Sequence, residues 1–233
     1  MTDTPRLSCI IPAYNEAPRI GAVLAAVLDH PLICEVIVVD DGSSDGTADR
    51  AEALATDAPT LRVIRQPQNG GKSRAVATGI EAARGEHLLL LDSDLLGLDA
   101  DHLSDLIAPV LERRADAAIS LRRNAPLLWR ALGIDYISGE RVMPRALLAA
   151  HTATLRGLPR FGLEVFINRL WLSDGLRLAI VRWPGVDSPL KHTKRGGWVD
   201  GLRADAAMLR DIFRTVPPSE TLRQILALRA RRI

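Results

Sequence analysis

Four leucines in a row, Leu88 to Leu91, run straight into Asp92-Ser93-Asp94. A stretch so uniformly apolar suits a strand buried on both faces of a parallel sheet. In open α/β sheets, ligands gather beyond the carboxyl ends of the strands. Asp92 and Asp94 therefore stand where a ligand would stand. Two carboxylates this close repel each other unless a cation or a proton separates them. Set against phosphate oxygens, they make a seat for Mg²⁺ or Mn²⁺. A polar strand end that caps the next helix has the same appearance, and the run alone leaves both readings open.

The residues before this run repeat one unit. Leu7 to Ile11, Glu35 to Val39 and Leu61 to Arg65 read as strands. Helices are expected from about Ala17 to Leu28, from Thr47 to about Ala55 and over Ser73 to Ala83. On the first of these, Ile20, Val23, Leu24, Val27 and Leu28 share one face. Strand-helix alternation of this kind specifies a parallel sheet with right-handed crossovers. The 233 residues, 47% hydrophobic and 25% charged, suffice for one large domain with a sizeable core.

Several classes are set aside. The dinucleotide pattern G-x-G-x-x-G is missing after the first strand, where Pro12-Ala13-Tyr14-Asn15-Glu16 stands. Gly71-Lys72-Ser73 ends like a P-loop, but that pattern needs a glycine at position 66, which is Gln66. A net charge of +2 is too balanced to argue for nucleic acid. Two cysteines, Cys9 and Cys34, do not make a disulfide framework. No leader-like apolar segment opens the chain, and no run reaches the roughly 18 apolar residues of a spanning helix. A soluble, cytoplasmic protein is expected.

Four stretches then resemble family 2 glycosyltransferases of the GT-A, or nucleotide-diphosphosugar transferase, fold. They are Ile11 to Glu16, Val38 to Thr47, Asn69-Gly-Gly-Lys72 and Leu91-Asp-Ser-Asp94, in order and each at a strand end. The resemblance implies a nucleoside-diphosphate sugar bound across these loops. Pro12, Ala13, Tyr14 and Glu16 would frame base and ribose, with Glu16 accepting from ribose hydroxyls or serving as an early-helix carboxylate. Asp41 would accept a base N–H, while Asp40 or Asp45 caps the turn. Lys72 would meet the base or the diphosphate, or lie in solvent. Ser73 stands where relatives often carry glycine. Asp92-Ser93-Asp94 matches the D-x-D motif, whose carboxylates hold a divalent ion, Mg²⁺ or Mn²⁺, against the leaving diphosphate.

The second half is expected to form the acceptor side. Asp101 to Arg113 reads as a helix and Asp116 to Leu121 as a strand; Arg122-Arg123-Asn124 faces phosphate or solvent. Ser138-Gly139-x-Arg141 resembles a family segment at the sugar and acceptor pocket, with Asp135, Glu140 and Arg141 as candidates or as ordinary turn charges. Glu164, opening a helix after Phe161-Gly162-Leu163, is a donor-sugar ligand, an acceptor base or a first-turn carboxylate. Leu176 to Trp183 reads as a strand. In the loop beyond it, His192 is the candidate third metal ligand and Lys191 a diphosphate contact, with Gly196-Gly197 as a hinge. Val199 to Phe213 reads as a helix.

The expected architecture is thus a mostly parallel GT-A sheet flanked by helices. Residues 1–215 form the transferase domain, 1–121 its nucleotide-sugar half and 122–215 its acceptor half. Residues 216–233 form a basic amphipathic helix, docked on the core, on a second copy in a homodimer, or on the inner membrane face. The expected activity is metal-dependent transfer from a UDP- or GDP-sugar to an acceptor hydroxyl or phosphate, with Asp94 and Glu164 at the reacting centre. A sugar-phosphate nucleotidyltransferase and a non-catalytic nucleotide-sugar-binding scaffold are the alternatives.

Overall fold

The computed structural model describes residues 7–56, 58–125, 127–159, 161–188, 210 and 216–233. Its centre is a seven-stranded sheet of order β3-β2-β1-β4-β6-β5-β7. The strands are β1 Leu7–Ala13, β2 Glu35–Asp40, β3 Leu61–Arg65, β4 His87–Leu90, β5 Ala117–Arg122, β6 Arg141–Pro144 and β7 Leu178–Trp183. Strands β3, β2, β1 and β4 are mutually parallel, as are β5 and β7; β6 runs antiparallel to both β4 and β5.

Alternation along the strands divides the core in two. From β1, Cys9 and Ile11 turn to one face and Ile10 to the other; from β2, Val36 and Val38 oppose Ile37 and Val39. The first face is covered by α1 (Ile20–Val27) and α4 (Ala100–Leu111), the second by α3 (Lys72–Ala82) and α8 (Gly162–Ser173). Helix α3 lies so close to β1 that a Cβ on Gly79 would come within 2.5 Å of Ile10. Helix α2 (Thr47–Ala55) packs beside β3, and the short helices α5 (Leu127–Leu132), α6 (Arg145–Ala149) and α7 (Thr152–Arg156) link the later strands.

The three parallel crossovers through α1, α2 and α3 appear as expected. Helix α1 starts at Ile20 rather than Ala17, because Asn15 takes a left-handed conformation and residues 17–19 form a turn that closes on the Glu16 carbonyl. Helix α4 is capped by Asp99, whose carboxylate accepts the His102 N–H at 2.9 Å. Strand β6 and helices α6 and α7 are additions to the expected plan. The strand is four residues long, too short to show a period of two.

The C-terminal helix α9 spans Pro218–Ala230. It buries Thr221, Gln224, Ile225 and Leu228, while Leu222 and Leu226 remain exposed. Gln224 accepts from Tyr136 Oη at 2.7 Å, and Ile233 N donates to Leu178 O at 3.1 Å, so the chain end returns to the sheet edge. No helix of the described residues is long and apolar enough to cross a membrane. The expected helix over Val199 to Phe213 lies outside the described residues, apart from position 210.

Candidate functional site

Because β1, β2 and β4 are parallel neighbours, their carboxyl ends fall on one edge. Ala13 pairs with Asp40, and Leu91 N donates to Ile10 O at 3.1 Å. The β1 loop is knitted to the β2 loop: Asn15 N donates to Ser43 Oγ, Ser44 N to Asn15 Oδ1, and Glu16 N to Thr47 Oγ1. Asp45 accepts from Ala17 N and Thr47 N, and Asp40 accepts from Ser43 N, so both serve as turn caps. Tyr14 is exposed above this framework, with Pro12 and Ala13 buried beneath it.

Asp41, expected to meet a nucleotide base, buttresses the neighbouring loop. It is 3% exposed and its two carboxylate oxygens accept from Gly70 N at 2.9 Å and Gly71 N at 2.7 Å. That clamp sets the start of α3 and therefore the origin of Lys72. Gly42 makes the approach possible: its φ is +71°, and a Cβ there would lie 2.7 Å from Asn69 N.

Lys72 reaches across the edge. Its Nζ lies 2.7 Å from Asp92 Oδ1 and 2.9 Å from Glu164 Oε1. Glu164 stands in the first turn of α8, after Phe161 in a left-handed conformation. Pro12, Lys72, Ser138, Gly139, Arg141 and Glu164 line a narrow cleft here. Burial alone would raise the Asp92 pKa, but the nearby Lys72 ammonium and Arg122 guanidinium bring it below the usual carboxylate value. Asp94 behaves oppositely. Burial, then the charges of Asp92 and Glu16, push it up to about 6. It takes no hydrogen bond from any described residue. Ser93 is buried between the two. Glu16 is ion-paired with Arg19 at 2.6 Å.

Behind Asp92 lies an ionic network. Arg122 is drawn inward, 3.4 Å from Glu140 and 3.6 Å from Asp135, whereas Arg123 is an exposed partner of Asp187. Glu140, fully buried, accepts from Ser120 Oγ at 2.6 Å and Ser138 Oγ at 2.7 Å. Asp135 is fully buried, and burial pushes its carboxyl up to about 6. Arg141 donates to Ser138 O at 2.7 Å, Asn168 Oδ1 at 2.7 Å and Tyr136 O at 3.1 Å, with its guanidinium 4.9 Å over the Trp171 ring. Glu140 and Arg141, expected at the substrate pocket, bond to the framework behind the cleft, and Arg141 also lines it. Ser120 and Asn168 belong to the same framework. Asn168 had a sequence signal, standing one helical turn after Glu164; Ser120, in mid-strand, had none.

Asp92, Asp94, Glu16, Glu140, Asp135 and Glu164 share this region with Lys72, Arg122, Arg19 and Arg141, so carboxylates outnumber cations by two. The surplus centres on Asp94, and an added cation would relieve it. Among the described residues no three His, Cys, Asp or Glu side chains form a metal-binding group. Two aspartates suit an ion whose remaining positions are taken by phosphate oxygens and water, as Mg²⁺ commonly is. His192 and Lys191 lie outside the described residues.

A sheet of this order, with acidic residues at the tip of β4, is the GT-A fold of glycosyltransferases. The Glycosyl transferase family 2 profile matches residues 8–138, more than half of the chain, and the chain belongs to that family. It is 30% identical over 163 residues to a dolichol-phosphate mannosyltransferase of Mycosarcoma maydis, covering 64% of this chain and 54% of that one. It is 29% identical over 179 residues to a dolichyl-phosphate beta-glucosyltransferase of Dictyostelium discoideum, covering 72% of this chain and 50% of that one. The chain thus spans about half the length of these curated relatives. A crystal structure of glucosyl-3-phosphoglycerate synthase from Mycobacterium tuberculosis with Mn²⁺, UDP-glucose and phosphoglyceric acid superimposes with a TM-score of 0.67 at 25% identity, covering 95% of this chain and 80% of that one.

Proposed function

We propose that this chain transfers a sugar from a UDP- or GDP-sugar to an acceptor hydroxyl or phosphate with the help of a divalent cation. The observation that carries this reading is the convergence of Asp92, Asp94 and Lys72 at one sheet edge, with a surplus of negative charge at Asp94. Asp92 and Asp94 would hold Mg²⁺ or Mn²⁺. The ion, when bound, supplies Lewis-acid stabilisation to the departing nucleoside diphosphate. Lys72 adds a point charge toward the same phosphates. Tyr14 offers an exposed ring to the nucleotide beside the β1–β2 loop framework. The Mn²⁺ and UDP-glucose named for the mycobacterial synthase favour a UDP-sugar donor and this class of ion.

Glu164 is the cleft carboxylate with a chemical role to fill. As base, it would take the proton of the attacking hydroxyl; as ligand, it would hold a donor-sugar hydroxyl. Glu164→Gln separates the two. A base predicts a kcat loss of about 10²-fold or more with KM preserved, and a sugar ligand predicts a rise in KM.

The dolichol-phosphate relatives favour a lipid-borne phosphate as acceptor. The outer face of α9, with exposed Leu222 and Leu226 beside Arg223 and Arg229, suits contact with an anionic membrane surface. Isothermal titration of UDP and GDP with and without Mn²⁺ tests the central reading. One of the two nucleotides is expected to bind at least tenfold more tightly with the ion, and Asp92→Ala is expected to abolish that gain. Ion-independent binding of both nucleotides would overturn it.

A further inference from the structure

We infer that Gly139 is a positioning residue for the reaction, because the Asp92 carboxylate occupies the space that a side chain at position 139 would need. A Cβ built on Gly139 falls 2.4 Å from Asp92 Oδ1, 2.6 Å from Oδ2 and 2.7 Å from Cγ. These are its three nearest heavy atoms, and all belong to this one carboxylate. Gly139 has no left-handed backbone, unlike Gly42, so the demand for glycine is one of space and not of conformation.

Neither partner is free to step aside. The backbone on the glycine side is pinned: Ser138 O accepts from Arg141 Nε at 2.7 Å, and Ser138 Oγ lies 2.8 Å from Ser120 Oγ. Arg141, next but one in sequence, is paired in register with Leu90 of β4. The strand that follows Gly139 is thus laddered to the strand that leads into Asp92, which ties the two segments together. On the other side, Asp92 is held by Lys72 at 2.7 Å. An added methyl group must displace the carboxylate by about 1 Å to reach ordinary contact of 3.4 Å or more. That movement breaks the alignment of Asp92 with Lys72 and alters its position relative to Asp94. A shift of this size in a group that orients a reacting centre has large effects on rate.

The inference rests on the metal-assisted reading above, and a cycle of variants separates the two. Gly139→Ala, Asp92→Ala and the double variant are compared by thermal unfolding without ligand and by titration of UDP with and without Mn²⁺. Gly139→Ala is expected to reduce the Mn²⁺-dependent gain in UDP affinity tenfold or more and to lower Tm. In the Asp92→Ala background it is expected to change neither by more than the error. Should Gly139→Ala alone fail to fold while the double variant folds, the steric conflict is demonstrated directly. Equal damage from Gly139→Ala in both backgrounds, or a gain equal to wild type, overturns the inference. If wild type itself shows no Mn²⁺-dependent gain, the functional reading fails, while the unfolding cycle still decides for or against the contact.

Discussion

Asp94 is the side chain whose behaviour most directly reports on the proposed chemistry. Its carboxyl is raised to about 6 from an ordinary 3.8 by burial and by its acidic neighbours Asp92 and Glu16. The folded chain therefore holds this proton more tightly than the unfolded chain does. Its contribution to stability falls as pH rises from about 4 through 6. A cation demands the ionised form, so the Mn²⁺-dependent gain in UDP affinity is expected to decline below pH 6 and level off above pH 7. Calorimetry at pH 5 and pH 7.5 checks this; a gain that is larger at pH 5 contradicts it. Asp135 gives a companion test away from the cleft mouth. Its carboxyl too is raised from 3.8 to about 6, worth on the order of 3 kcal/mol once both states are ionised. Asp135→Asn is expected to flatten the fall in stability between pH 4 and pH 7, read from denaturant midpoints. Asp92, Lys72 and Glu164 were legible as candidates from their places at strand and helix ends, and the fold brings them within ion-pair distance. The part Asp41 plays in the fold was not legible, since a sequence does not show that two backbone amides 29 and 30 residues onward donate to it.

At the level of loops and strands, the β2–α2 turn and the β3–α3 loop act as one piece, joined where Gly42 meets Gln68 and Asn69. Gly42→Ala would impose a left-handed φ on a residue with a Cβ and press that Cβ to 2.7 Å from backbone atoms. A loss of about 2 kcal/mol or more is expected, together with weaker nucleotide binding through the displaced Lys72 loop. Urea unfolding and UDP titration read the two effects; unchanged values of both would refute the coupling. The parallel crossovers were readable because each carries its own apolar period and turn chemistry. Strand β6 was not. Arg141-Val142-Met143-Pro144 has four residues, a buried charge at one end and a proline at the other, and resembles a turn. Being antiparallel, it also delivers to the site the residues before it, Gly139 and Glu140, whereas parallel strands deliver those after them. The rule of looking past strand ends points away from them.

For the molecule as a whole, the C-terminal helix is part of the core and not an appendage. Leu228 is fully buried in the cluster that also holds Trp129, Tyr136 and Trp171. Leu228→Ala is expected to destabilise the entire domain by about 2–5 kcal/mol, visible as a single shifted unfolding transition. A separate early transition for α9 would show that the helix melts on its own. Leu222→Gln with Leu226→Gln, both on the exposed face, should leave Tm within a degree or two while reducing sedimentation with anionic vesicles. The amphipathic pattern predicted a helix here, but it did not distinguish its two apolar faces. Only the docking of Ile225 and Leu228 reveals that Leu222 and Leu226 look outward.

Strand β6 has one more consequence. Its ladder partners lie in both halves of the sheet, β4 on one flank and β5 on the other. The sheet beneath the proposed site is consequently one continuous plank, denied the scissor-like closing that two separately hinged lobes allow. Fitting a new sugar or a new acceptor must then be the business of what is mounted on the plank's rim, and grafting loops there is the natural way to redirect such a scaffold.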